Sequence, residues 1–218
     1  MFGFWWQWQF QWNLSKLKDP RYRFLFETAP EDEVVCFDCE TSGLNPKKAQ
    51  LLSIGAVKIA HNKILTSQKL ELFIKPTAEI DHASIKVHRL RHIDVENGLD
   101  AKDAILKFLD FIGPRKLVGY YLEFDVAMIN KYMKPLLGVT LPNQQVDISG
   151  LYYNQKLYGY PAGLPHPHID LRFDTIMQEM GLPVLGKHDA FNDALMTAMI
   201  YIKLLNGWGM RKSENNYD

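Results

Sequence analysis

Cysteine is scarce in this 218-residue chain: Cys36 and Cys39 are the only two. With no second pair, a four-thiolate zinc site is excluded, and residues three apart on an extended strand face opposite sides. The C-x-x-C spacing therefore reads as two small buried side chains in a reducing compartment, with the cytoplasm as the expected location. Net charge is also missing, because 25 Lys and Arg balance 25 Asp and Glu. No global positive field is available to hold a long polyanion, so a nucleic-acid role has to rest on local basic patches and bound metal. Tryptophan is nearly confined to one place, with four of the five in Met1 to Trp12. That segment lacks the basic start and unbroken apolar stretch of a signal peptide, and it is too short and polar to span a bilayer.

Apolar residues make up 47% of the chain, ample for one conventional core. Residues 1–30 read as an aromatic and basic arm. Trp6, Trp8, Phe10 and Trp12 alternate as on a strand, Trp5, Trp8 and Trp12 share a helical face, and Lys16, Lys18, Arg21 and Arg23 form a basic collar. Such a segment suits a protein partner, a membrane surface or stacked bases; its alternative is an arm packed on its own domain or disordered.

Residues 34–38, 51–59 and 64–74 read as strands joined as an antiparallel meander, with His61-Asn62-Lys63 as a turn. Ala104, Ile105, Phe108, Leu109 and Ile112 give residues 101–112 a helical face that Gly113-Pro114 ends. A short strand follows at 116–120, then a helix over 124–137. Gly159, Pro161, Gly163, Pro165 and Pro167 make an irregular connector, and helices are expected at 170–180 and 190–205. Strands followed by helices give a mixed α/β domain over 31–206, with a tail at 207–218.

Asp38 and Glu40 sit one residue apart where the first strand runs into a turn. Alternate side chains share a face, so both carboxylates enter one small volume and repel each other unless a cation neutralises them. Glu123 and Asp125 lie at the head of the 124–137 helix, where the positive helix end favours a carboxylate; the residues alone do not choose between them. His188 and Asp193, five apart, would stand about 140° from each other on one helix. They meet only if Asp189 caps the helix and His188 precedes it, an arrangement that suits a general base near neutral pH.

These three segments together resemble the DEDDh branch of the DnaQ-like 3′–5′ exonucleases, which includes the polymerase III epsilon proofreading subunit. The likeness runs from about Val34 to Leu205. FDCETSGL supplies Asp38 and Glu40, VGYYLEFD supplies Asp125 in preference to Glu123, and HDAFNDA supplies His188 and Asp193. The resemblance implies a ribonuclease H-like mixed sheet flanked by helices. It also implies two-metal hydrolysis with Mg²⁺ or Mn²⁺ held by Asp38, Glu40, Asp125 and Asp193, with His188 as the base. Its substrates would be 3′ ends of single-stranded DNA or RNA, with nucleoside 5′-monophosphates as products. Thr41, Gly43, Leu44 and Phe124 would touch the substrate, with Leu44 as an apolar wedge against the terminal bases. Lys86, Arg89, Arg91 and Lys187 are candidate backbone contacts. An RNA- or oligonucleotide-trimming enzyme is the alternative within this chemistry, and a non-catalytic binding module using the tryptophan arm is the alternative outside it. Two features depart from the family pattern: Tyr120 and Tyr121 stand where many members carry His-Asn, and Ser42 stands for a more usual threonine.

Overall fold

The computed structural model describes residues 13–77, 96–161, 163–186 and 189–208. Among these residues, five strands form one sheet: β1 (Glu33–Thr41), β2 (Leu51–Ala60), β3 (Lys63–Phe73), β4 (Lys116–Gly119) and β5 (Gln145–Asp147). Their order is β3-β2-β1-β4-β5. The first three pair antiparallel, as the meander predicts, whereas β4 and β5 join parallel to β1. Among the described residues, five α-helices flank the sheet: α1 (Ala101–Ile112), α2 (Glu123–Leu137), α3 (Ile148–Leu157), α4 (Phe173–Glu179) and α5 (Ala190–Leu205). The architecture is mixed α/β.

The two faces of β1 build two separate core layers. Val35, Phe37 and Cys39 pack with Ile105, Phe108 and Leu109 of α1 and with Met128, Ile129 and Met133 of α2. Val34 and Cys36 pack with Tyr152 of α3, Ile176 of α4 and Met196 and Ile200 of α5. The cysteines thus lie on opposite faces, both buried and free. Burial pushes the Cys36 thiol up, which keeps it in its inert, protonated form.

The segment that carries the basic collar joins the first layer through its apolar residues, leaving the four basic side chains exposed. Pro20–Phe26 forms a 3₁₀ helix started by the Asp19 carboxylate on the Arg21 N–H, and Tyr22, Leu25 and Phe26 are buried in the core. Lys18 donates its N–H to Leu137 O (2.9 Å) and its Nζ to Pro135 O (3.0 Å), satisfying carbonyls at the end of α2. The tryptophan segment itself lies outside the described residues, as does the end of the tail.

Strand β5 and helix α3 go unread in the sequence. A three-residue strand is too short for alternation to register, and α3 buries only Ile148, Ser149 and Tyr152. Helix α4 begins at Phe173, not at Asp170, for a local reason. The Asp170 carboxylate accepts from the Arg172 N–H, the Arg172 guanidinium and the Thr175 hydroxyl, which holds Arg172 extended as the N-cap.

Helix α5 crosses β1 and β2 at close range because both sides are stripped of bulk. Ala190, Ala194 and Ala198 are spaced four apart and buried, and Gly55 of β2 lies beneath the first turn. A β-carbon at Gly55 would stand 2.1 Å from Phe191 N and 2.2 Å from the Ala190 carbonyl carbon. Gly55 is also the register partner of Asp38. The glycine in an otherwise apolar strand is therefore what seats the start of α5 over the end of β1.

Candidate functional site

Asp38 and Glu40 continue the parity of Val34 and Cys36, so both carboxylates emerge on the α5 side where β1 ends. Asp189 caps α5 by accepting from the Asn192 N–H (2.9 Å), which places Asp193 in the first helical turn. One carboxylate oxygen from each of Asp38, Glu40 and Asp193 lies within 4.8 Å of the others. Glu40 is buried; Asp38 and Asp193 are partly accessible. Asp125, in the first turn of α2, is not one of those three but approaches the same strand end. It is buried, and its Oδ1 accepts the backbone N–H of Cys39 (3.1 Å), the residue between Asp38 and Glu40. Glu123 is exposed, so the fold separates two residues that the sequence alone leaves equivalent.

The electrostatics follow from this crowding. Desolvation pushes the Asp38 carboxyl well above the ordinary range, and the charges of Asp125, Asp193 and Glu40 add to it. Burial pushes Asp125 up to about 8 against the opposing pull of the Cys39 N–H. The Cys39 thiol rises too, first from burial and then from Asp125 and Asp38. Carboxylate oxygens facing one another at this spacing form an all-oxygen donor set, which fits a hard divalent cation. A cation there reverses the cost of ionisation.

One consequence is measurable. A carboxyl whose folded pKa is raised destabilises the fold as pH climbs from its unfolded value, near 3.8, to about 8, because only the unfolded chain ionises freely in that window. Melting temperatures of metal-free protein are expected to fall across that range, and added Mg²⁺ or Mn²⁺ to restore them more strongly at pH 8.5 than at pH 6. Thermal melts with and without chelator at both values check this; a metal-induced rise independent of pH contradicts it.

A cavity of about 380 Å³ opens beside the cluster, walled by Asp38, Asp193, Tyr120, Phe173, Arg172 and Asp174. Tyr120 is fixed there by its hydroxyl on Leu171 O (2.9 Å) and by an edge contact with Phe173. Arg172 brings a guanidinium to the rim, held by Asp170. No signal in the sequence pointed to Arg172.

The remaining predicted residues fall as follows. Thr41 is buried and donates its hydroxyl to Gly43 O (2.8 Å), closing the turn after β1. Ser42 pins the far end of that loop, its N–H on Gln50 O and its Oγ accepting the Gln50 N–H. Leu44 is 89% exposed, which removes a core role for it. Phe124 is partly buried against the first core layer and also faces a second groove. His188, Lys187, Lys86, Arg89 and Arg91 lie outside the described residues. Tyr121 adopts φ 48°, in the left-handed region. Asparagine tolerates that region far better than tyrosine, so the family's His-Asn pattern carried a readable conformational signal at this position.

Comparison with known proteins places the chain among exonucleases. A family model described as Exonuclease, of the RNase T type, matches residues 35–201. The DNA polymerase III PolC-type protein of Caldanaerobacter subterraneus subsp. tengcongensis is 32% identical over 181 residues, 82% of this chain and 12% of that protein. The chain thus corresponds to a small part of the PolC-type relatives it matches. The DNA polymerase III subunit epsilon of Aquifex aeolicus is 26% identical over 171 residues, covering 78% of this chain and 79% of that protein. In fold, the chain is similar to the zinc-bound E. coli exonuclease I complex with single-stranded DNA. The TM-score is 0.67 at 15% identity, over 84% of this chain and 42% of that one. Among the described residues, no helix is long and apolar enough to cross a membrane.

Proposed function

The chain belongs to the exonuclease family whose model spans residues 35–201, and on that premise we propose that it is a metal-dependent 3′–5′ exonuclease acting on single-stranded DNA or RNA. The observation that carries this reading is the convergence of Asp38, Glu40 and Asp193 within 4.8 Å, with buried Asp125 tied to the same strand end. Asp38, Glu40 and Asp193 would hold one Mg²⁺ or Mn²⁺, and Asp38 with Asp125 a second. Bound there, the ions supply an activated water and neutralise charge at the scissile phosphate and the leaving 3′ oxygen.

The protein's own residues do the rest. Asp125, fixed by the Cys39 N–H, and Asp193, fixed by the capped start of α5, keep the carboxylates oriented without reorganisation during turnover. His188 would take a proton from the attacking water, its ordinary pKa lying near the working pH. Leu44 would press against the terminal bases from the loop that Thr41 and Ser42 brace. Only a few nucleotides need be held at a 3′ end, so the balanced net charge is no obstacle. The nuclease domain is assigned to 31–206 with the 3₁₀ helix packed on it, and the protein to the cytoplasm. The epsilon and PolC-type relatives point to a polymerase as the class of partner.

Purified protein with Mg²⁺ or Mn²⁺ is expected to shorten 5′-labelled single strands from the 3′ end and release nucleoside 5′-monophosphates. Parallel time courses on DNA and RNA of one sequence decide which is preferred. Intact substrate after a metal titration of folded protein would overturn the assignment.

A further inference from the structure

Tyr121 combines three features that packing alone does not explain. It is a large aromatic side chain left 53% exposed, it holds a left-handed backbone conformation, and its ring lies 4.4 Å from that of Tyr120 between centroids. A left-handed tyrosine costs about 1–2 kcal/mol, and such strain persists where the surroundings demand it. Here two neighbours hold it in place. The Leu122 N–H donates to Asp147 Oδ2 (2.8 Å), and the Phe124 N–H donates to Tyr121 O (3.1 Å), so the turn into α2 is fixed on both sides of the ring.

The Tyr120–Tyr121 pair forms a partition. Tyr120 walls the cavity that contains Asp38 and Asp193. Tyr121 walls a second groove, of about 770 Å³, with Pro46, Phe124 and Ala127 as apolar sides and Glu123 and Gln145 as polar ones. No lysine or arginine lines this groove among the described residues, while Glu123 and Asp147 both do. Asp147 is already engaged with the N–H groups of Leu122 and Ser149. Negative lining disfavours a phosphate. An exposed aromatic ring sharing a groove with proline and phenylalanine, and with a carboxylate and an amide, suits the flat face and polar rim of a nucleobase.

We propose that Tyr121 is the stacking platform of a base subsite, and that the groove takes the nucleobase of one of the two nucleotides flanking the scissile phosphate. This rests on the exonuclease reading, since the cavity on the other side of the partition is where the phosphate would lie. The subsite recognises the base by its face, so it tolerates all four bases and discriminates against a missing one. A tyrosine makes this possible in a way that a small amide at the same position does not.

The test uses the full chain and a short fluorescent oligothymidylate, with oligouridylate in parallel. A single abasic unit is walked from the 3′ end, and binding is measured by anisotropy with Ca²⁺ as the metal. Wild type and Tyr121→Phe are expected to lose about ten-fold in affinity when the abasic unit occupies one of the two flanking positions, the scale of one base–aromatic stack. Tyr121→Asn should bind the intact strand about ten-fold more weakly and show no further loss at that position. Asparagine suits the left-handed backbone, so this variant is expected to melt at or above the wild-type temperature, which separates lost stacking from lost folding. An identical abasic profile in wild type and Tyr121→Asn would overturn the subsite alone. Failure of wild-type protein to bind either strand would overturn the exonuclease reading with it.

Discussion

Asp38→Asn is expected to lower nuclease turnover by about a thousand-fold while making the metal-free protein more stable. The loss follows if Asp38 is the residue shared by both cations: several kcal/mol of transition-state charge stabilisation is removed, and each 1.36 kcal/mol is tenfold in rate. The gain in stability follows from what the carboxylate costs without metal. Desolvation and four neighbouring carboxylates push Asp38 well above its ordinary range, so the folded state must carry a proton that the unfolded chain releases. An isosteric neutral amide removes that cost. The benefit should therefore widen between pH 5 and pH 8, at about 2–4 °C for each kcal/mol relieved. Addition of Mn²⁺, expected to raise the wild-type melting temperature, should do little to the variant. Melting curves and turnover on one preparation check both halves. A variant that keeps turnover, or that is less stable than wild type at pH 8 without metal, would remove Asp38 from the centre of the site.

Gly55→Ala carries the second large effect, and it acts from outside the carboxylate cluster. The added methyl would overlap the backbone of Ala190 and Phe191 at 2.1 to 2.4 Å, where no flexible side chain can yield. Either α5 lifts from the sheet or β2 bends away. Overpacking of this kind costs at least about 3 kcal/mol, or roughly 6–12 °C in a domain of this size. Because Asp193 rides on the first turn of α5 and Asp38 is the register partner of Gly55, either response parts two members of the cluster. Activity and the metal-induced rise in melting temperature should be lost together, even at temperatures where the variant remains folded. Gly150→Ala provides the contrast. It lies in α3 with open space where its β-carbon would go, and alanine there should leave stability unchanged or raise it by up to about 1 kcal/mol. A Gly55→Ala protein with wild-type metal response would mean that α5 is not what positions Asp193.

Much of the fold was legible because its signals are local. Alternation on β1 assigned Asp38 and Glu40 to one face, and the buried positions of α1 are the ones its helical spacing picks out. Asp189 reads as a cap and acts as one. Strand β5 and helix α3 escaped because a three-residue strand and a weakly amphipathic helix leave too few repeats to detect.

The sequence by itself determined which carboxylates share a strand face, the bounds of the first and last helices, α1 and α5, and, through the resemblance of three motifs, which chemistry to look for. Tertiary structure alone decided the rest. It buried Asp125 against the Cys39 N–H while leaving Glu123 in solvent, made Gly55 the seat of α5, and turned Tyr121 outward along the second groove. The division has a physical cause. Periodicity and capping depend on neighbours within about four residues, as the geometry of strand and helix requires. Distances such as that from Asp38 to Asp193 depend on how closely two elements 155 positions apart in the chain pack, which small residues on both surfaces set and no local spacing records.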